Sequence, residues 1–329
     1  MVTLEDIRAA QSRLRGVAFR TPLIEAHFHH KTDPEDHRTL YLKPENLQPM
    51  GAFKLRGAYN KLASLSSQER RRGVITYSSG NHAQGVAYSA RALGVKAVIV
   101  MPNNAPAVKR EATAAMGAEI VLVGPGSEER QHKAEELAAE HGYVIVPPYN
   151  DEQIIAGQGT VGVEILEDLP NVETILVPVG GGGLSSGVAT AVKLSKPGVK
   201  VIGVEPELAA DAQASLRAGR IVNFAADQVS RTAADGLRTQ SIGPINFEHI
   251  LKYVDDIITV SEPQIAQAMM LLAEDPRTVA EPSGAVSVAG FLFHRDELPK
   301  TNVNVAVISG GNIDPKLLAE ITSTASFRI

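Results

Sequence analysis

Short runs of β-branched and aliphatic residues alternate along the chain with longer segments whose apolar positions recur at helical spacing. Strand-sized runs occur at Thr39–Leu42, Val74–Tyr77, Ala97–Met101, Ile120–Val123, Tyr143–Val146, Thr174–Val179, Val201–Val204, Asp256–Val260 and Val303–Ile308. Between them, Asn81–Leu93, Ala107–Met116, Glu128–His141, Leu184–Leu194 and Glu262–Glu274 have helix length and are rich in Ala, Glu, Arg and Leu. This alternation predicts an α/β chain with parallel sheets and helices on both faces. So many strands exceed the usual complement of one open sheet, which predicts two lobes with a cleft between them. Thr3 and Asp6 have the spacing of a capping box, predicting a first helix to about Leu14. Gly94, Gly117, Gly142 and Gly219 follow helical segments, where left-handed caps are needed. The polar stretch Ser64–Gly73 (SLSSQERRRG) is the hinge expected between lobes.

Composition narrows the partners. The 329 residues carry 32 Lys+Arg against 37 Asp+Glu, a net charge of −5, which gives no electrostatic reason to bind nucleic acid. Cysteine is absent, so disulfides, thiolate metal sites and cysteine nucleophiles are excluded. No apolar run reaches the roughly 18 residues expected of a membrane span. The N-terminal MVTLEDIRAA places Glu5 and Asp6 where a signal peptide carries basic residues, so a cytoplasmic location is expected.

Four segments carry chemistry. In VPVGGGGLSSGVA a buried-type strand runs into Gly180, Gly181, Gly182 and Gly183, with a helix expected to open at Leu184. Unobstructed amides ahead of a helix's positive end make a phosphate cradle. The GQGTVG at Gly157–Gly162 matches a dinucleotide pattern, but NDEQIIA before it is no strand, so the match is read as coincidence. In GAFKLRGA, Lys54 follows Phe53 in the first turn of an expected helix, whose positive end would lower the pKa of the amine. In VITYSSGNHAQGVA, the turn Ser78, Ser79, Gly80, Asn81 and His82 offers amides and hydroxyls suited to a carboxylate. In NVAVISGGN a late strand delivers Ser309 ahead of Gly310 and Gly311.

In this order KPEN, GAFKLRGA, SSGNHAQG, PVGGGGL and ISGGN resemble the pyridoxal-phosphate enzymes of fold type II, and within them the branch of threonine/serine dehydratases (ammonia-lyases) and serine racemase. The resemblance covers almost the whole chain. It implies a two-lobed, tryptophan synthase β-like fold with twisted, mainly parallel sheets. Residues 1–72 and 150–329 would form a large cofactor-binding domain and 73–149 a small one. By the resemblance, Lys54 holds pyridoxal 5'-phosphate covalently, Phe53 borders its ring and Asn81 bonds its phenolic oxygen. The amides of Gly180, Gly181, Gly182, Gly183 and Leu184 hold the phosphate, Ser309 faces the ring nitrogen, and Gly236 lets backbone approach the ring. A serine there, unlike a carboxylate, keeps no proton on the ring nitrogen, which favours prompt loss of a β-substituent.

The implied reaction is α,β-elimination of L-threonine or L-serine to a 2-keto acid and ammonia, with Lys54 as base and Ser78 to His82 gripping the amino-acid substrate's carboxylate. Serine racemisation is the alternative, because Ser79 stands where racemases place a second acid/base. Dehydration of 3-hydroxyaspartate or another β-hydroxy amino acid is a further variant, for which Arg130, read as a surface residue near the mouth, would supply selectivity. By the same resemblance, Glu205, Ala209 and Asp211 match the divalent-cation site of serine-racemase-like enzymes, two carboxylates and the Ala209 carbonyl taking magnesium, manganese or calcium, where the residues alone would read as a solvated helix start. Relatives imply a homodimer. Two departures stand out, Ala52 where serine is usual and Met50 where threonine is common. The histidines His27, His29 and His30 are read as a solvated loop rather than a zinc site.

Overall fold

The computed structural model describes residues 1–28, 36–105 and 107–324. Its strands are β1 Ile24–Ala26, β2 Thr39–Pro44, β3 Val74–Tyr77, β4 Ala97–Pro102, β5 Glu119–Val123, β6 Val144–Ile145, β7 Thr174–Pro178, β8 Lys200–Pro206, β9 Asp256–Val260 and β10 Val303–Ile308. The predicted strands correspond to β2 through β10, with ends displaced by at most 2 residues. They form one sheet of six strands, ordered β1-β2-β10-β7-β8-β9, and one of four, ordered β5-β4-β3-β6. Every pairing is parallel except β1 with β2. The chain is therefore an α/β protein with two mainly parallel sheets, as the alternation of its elements predicts.

The central strands of the larger sheet are buried on both faces, and their side chains divide by the two-residue period of a strand. Leu176, Ile202, Val204, Ala306 and Ile308 pack on one side with Val286, Val288 and Ala289 of the helix Pro282–Phe293. Ile175, Val177, Val201, Val305 and Val307 pack on the other with Val188 and Val192 of the helix Gly183–Ser195. Each such side chain contributes about 1.5–3 kcal/mol relative to exposure. In the smaller sheet, Val74, Ala97, Ile99 and Met101 meet Ala83, Val86 and Ala90 of the helix Asn81–Leu93. Ala58 and Leu62, from the helix Lys54–Ser64, join that same cluster.

The lysine-bearing helix is tied down by charge as well. Arg56 donates to Glu45 at 2.7 Å and to Glu164 at 2.6 Å, Lys43 donates to Glu164 at 2.7 Å, and all four side chains are buried. Two charges of each sign balance; removing one leaves an uncompensated buried charge at a cost of about 3–5 kcal/mol.

The structure corrects one local expectation and agrees with the others. The hinge predicted at Ser64–Gly73 is largely the helix Ser67–Arg72, opened by a capping box between Ser66 and Glu69. The S-x-x-E spacing outweighs the polar composition there. The first helix, Leu4–Leu14, has the Thr3/Asp6 box expected of it, and Gly94, Gly142 and Gly219 are left-handed caps. GQGTVG forms no phosphate loop: it lies inside the helix Glu152–Asp168, capped by Asp151. A Cβ on Gly157 would sit 2.6 Å from the Arg56 carbonyl oxygen, so these glycines serve close helix crossings. His29 and His30 lie outside the described residues, while His27 is exposed.

Candidate active site

A cavity of about 770 Å³ opens at the carboxyl ends of strands from both sheets, where ligands of open α/β sheets sit. From the larger sheet, β7 delivers Gly180 to Leu184 and β10 delivers Ser309; from the smaller, β3 delivers Ser78 to His82. Lys54, Phe53, Arg130, Gly236, Tyr149 and Glu281 also line it. The two sequence motifs that flank Lys54 and Ser309 are stitched together. Ala52 bridges Gly310 in antiparallel fashion, and the Phe53 amide donates to the Ser309 carbonyl at 3.0 Å. Met50 and Ala52, the two departures, are buried beside Leu55.

Lys54 is the first residue of its helix and reaches the cavity, where Nζ donates to the Pro148 carbonyl at 2.6 Å. Burial pushes its pKa down to about 8. Desolvation is the cause that the burial of the amine accounts for, and Lys54 stands at the helix start expected of it. A neutral amine is a nucleophile and a base, and this shift brings one within reach of neutral pH. His82 is buried with Nε2 against the Val146 carbonyl at 2.9 Å. Burial, and then the Lys54 charge, push its pKa down to about 3, so the imidazole stays neutral. Its ring is taken up by that contact, which leaves its backbone amide for a ligand.

Gly180, Gly181, Gly182 and Gly183 are all buried, and the helix opens at Gly183 rather than at Leu184. Gly182 caps it at φ +93°. A Cβ on Gly181 would lie 2.2 Å from the Tyr149 ring. The first helical amides of such a turn have no helical acceptor and point at an anion. The cradle that a Cβ would obstruct fits a phosphate. Ser309 is buried, and its hydroxyl donates to the Ser283 carbonyl at 3.3 Å. The Gly236 amide donates to the Ser283 hydroxyl at 2.9 Å, which places both residues on one wall.

Ser78, Ser79, Gly80 and Asn81 are partly open to the cavity, unlike the buried glycine turn. Arg130, read from sequence as surface, is half-buried in the cavity wall, and burial lowers its pKa. Lys109 and Asp235 form an ion pair of 2.8 Å between the two walls. Lys109, Asp235, Tyr149 and Glu281 went unread in the sequence, although an acid preceding a proline-led apolar helix is a visible signal at Glu281.

Glu205, at the end of β8, and Asp211, which opens the helix Asp211–Ala218, are both fully buried outside this cavity. Glu205 accepts from the Ala212 and Gln213 amides at 3.1 Å and 2.7 Å. Asp211 Oδ1 accepts from the cavity-lining Thr239 at 3.3 Å, and its Oδ2 has no partner. Burial, with the Asp211 charge, raises the Glu205 pKa, and burial lifts Asp211 to about 7. Ala209 is buried between them in sequence. Among the described residues no group of three or more His, Cys, Asp or Glu side chains is gathered for a metal.

A sequence profile described as pyridoxal-phosphate dependent enzyme matches residues 14–310. The chain is 47% identical over 321 residues to an L-threonine ammonia-lyase of Thermotoga maritima, covering 98% of this chain and 78% of that protein. It is 42% identical over 321 residues to an L-threo-3-hydroxyaspartate ammonia-lyase of Saccharomyces cerevisiae, covering 98% and 96%. The structure of maize serine racemase superposes with a TM-score of 0.91 at 35% identity, covering 98% of this chain and 97% of that one.

Proposed function

Since the chain belongs to the pyridoxal-phosphate dependent enzymes, in their ammonia-lyase branch, we propose that it removes water from L-threonine or L-serine to yield a 2-keto acid and ammonia. The observation that carries this reading is Lys54, with its pKa lowered to about 8, in one cavity with the buried glycine turn. Bound there, pyridoxal phosphate supplies an electron sink that makes the substrate Cα proton acidic and lets the β-substituent leave. In this reading the amides of Gly180 to Leu184 hold its phosphate, Phe53 and Gly236 border the ring, Asn81 faces the phenolic oxygen and Ser309 the ring nitrogen.

The lowered pKa of Lys54 brings its unprotonated, nucleophilic amine within reach at neutral pH. With cofactor and substrate bound, Lys54 Nζ would be the base that takes the Cα proton. The turn from Ser78 to His82 grips the substrate carboxylate, its backbone amides at the start of the helix Asn81–Leu93 providing the donors. Residues 73–149 form the small domain in this proposal, and its approach to 1–72 and 150–329 excludes water and completes the carboxylate site.

A second substrate reading rests on Arg130. Its place in the cavity wall suits the additional carboxylate of 3-hydroxyaspartate, the substrate named for the yeast relative. Serine racemisation is the third, with Ser79 opposite Lys54 as the second acid/base. Glu205, Ala209 and Asp211 would hold magnesium, manganese or calcium, supported by the partnerless, buried Asp211 Oδ2. Such a cation raises the melting temperature of wild type and not of Asp211→Ala. A cytoplasmic homodimer completes the reading. Phe19, Leu47 and Val279 are exposed apolar side chains a second copy would cover, which sedimentation tests.

The deciding assay incubates the holoenzyme with L-threonine, L-serine and L-threo-3-hydroxyaspartate, following ammonia, keto acid and D-serine together. Ammonia from the first two, without D-serine, is the expected result. D-serine ahead of pyruvate moves the assignment to a racemase, and no ammonia from any of the three sinks the lyase reading.

A further inference from the structure

Glu281 is used by no step above, yet it is 4% exposed and lies in the cavity wall. Its Oε1 accepts from Asn81 Nδ2 at 2.6 Å. Asn81 Oδ1 in turn accepts from Asn312 Nδ2 at 2.8 Å, and Asn312 Nδ2 also donates to the Met50 carbonyl at 2.9 Å. The orientation of this chain of amides follows from its far end. A backbone carbonyl can only accept, so Asn312 must present its nitrogen to Met50 and to Asn81. The Asn81 oxygen then faces Asn312, and its nitrogen faces Glu281. A carboxamide has two N–H groups; Glu281 takes one, and one remains.

Two glycines make room for these side chains. A Cβ on Gly310 would lie 2.4 Å from Glu281 Oε1, and one on Gly51 would lie 2.2 Å from Asn312 Oδ1. Both belong to the motifs around Lys54 and Ser309, so those motifs house the network as well as the cofactor.

We propose that Glu281 is a positioning residue for the cofactor's phenolic oxygen: together with Asn312 it locks the Asn81 carboxamide so that its remaining N–H is turned to the ring. This rests on the proposed function, in which Asn81 faces that oxygen. The groups around Glu281 favour its neutral form at pH 7. Burial and then the Asp235 charge push its pKa up to about 8, against the Asn81 bond, Lys109 and the Asn312 amide. Glutamine is then the isostere of its neutral-pH form.

The test loads wild type, Glu281→Ala, Glu281→Gln, Asn81→Ala and the Glu281→Ala/Asn81→Ala double variant with pyridoxal phosphate. The visible absorption of the bound cofactor is read beside kcat, KM and thermal unfolding. A donor lost from the phenolic oxygen moves that band. We expect Glu281→Ala to shift it and to lower kcat about 10- to 100-fold with KM within about threefold, as for loss of an interaction acting at the reacting centre. Glu281→Gln returns the band toward wild type, and the double variant is no worse than Asn81→Ala alone. An unmoved band in Glu281→Ala, with or without a lower melting temperature, overturns the inference, as does full additivity in the double variant. A wild-type protein that takes up no pyridoxal phosphate overturns the functional reading itself, and this inference with it.

Discussion

At Gly181 an added Cβ would lie 2.2 Å from the Tyr149 ring, whereas at Gly80, across the same cavity, it would meet nothing within 4 Å. Both glycines lie where a strand runs into a helix, and both are followed by a helix whose first amides face the cavity. The resemblance ends there. The tetraglycine turn is buried and braced from behind by Tyr149, Leu237, Ile242 and Asn246, so its amides are fixed by packing before any ligand arrives. The turn from Ser78 to Asn81 is partly open, and its one internal bond is a long one, from the Gly80 amide to the Ser78 hydroxyl at 3.4 Å. A prosthetic group that stays needs the first kind of wall; a substrate that enters and leaves needs the second. The same residue type therefore serves close packing on one side and open space on the other.

The largest effect is expected at the packed wall. Gly181→Ala must displace an aromatic ring, and overpacking of this kind costs about 1–3 kcal/mol, enough to weaken cofactor affinity up to roughly 100-fold in a pyridoxal phosphate titration. A smaller partner at Tyr149, as in Gly181→Ala/Tyr149→Ala, should restore part of that affinity if the ring is the obstacle.

Next comes the buried acid between the walls. The Glu281 pKa of about 8 in the folded protein exceeds its ordinary value of 4.5, so the native state holds a proton that the unfolded chain releases. Stability is then lost as pH rises from 4.5 toward 8. Glu281→Gln removes that titration. Its stability relative to wild type should climb across this window and level off above it, as urea unfolding at a series of pH values would report.

On the open wall the effects fall on substrate rather than cofactor. Arg130→Ala should raise KM for L-threo-3-hydroxyaspartate by about tenfold while changing that for L-threonine little; equal changes for both remove Arg130 from the specificity argument. Ser79→Ala should abolish any D-serine formation and spare elimination of the L-isomer, since only inversion needs an acid on the far side of the ring. Smallest of all, Gly80→Ala should leave stability within about 0.5 kcal/mol of wild type, because its Cβ points into space. A large loss there would erase the contrast between the walls.

The parts legible in the sequence are those written locally. Lys54 after Gly51, the run Gly180 to Gly183 and the Ser78 to His82 turn each occupy a few consecutive residues between a strand and a helix, and the structure gathers them round one cavity. The strands of both sheets announced themselves through β-branched runs, whereas β1, with 3 residues on an antiparallel edge, is too short to show a period. Polar composition misled at Ser64–Gly73, where a capping box makes a helix. Glu281 escaped for a different reason. Its partner Asn81 is 200 residues away, and what makes it chemically unusual is burial, which no neighbouring residue type encodes. The pairing of Lys109 with Asp235, 126 residues apart, was hidden in the same way.

In the proposed function, Lys54 is the residue that binds the cofactor. Incubating the protein with pyridoxal phosphate, reducing it with borohydride and mapping the digested peptides tests this directly. The expected result is a protein that turns yellow with pyridoxal phosphate, loses that colour on reduction and then carries one phosphopyridoxyl group per chain on the peptide that contains Lys54. A protein that remains colourless, or a label found instead on Lys43, Lys109 or another lysine, would contradict it.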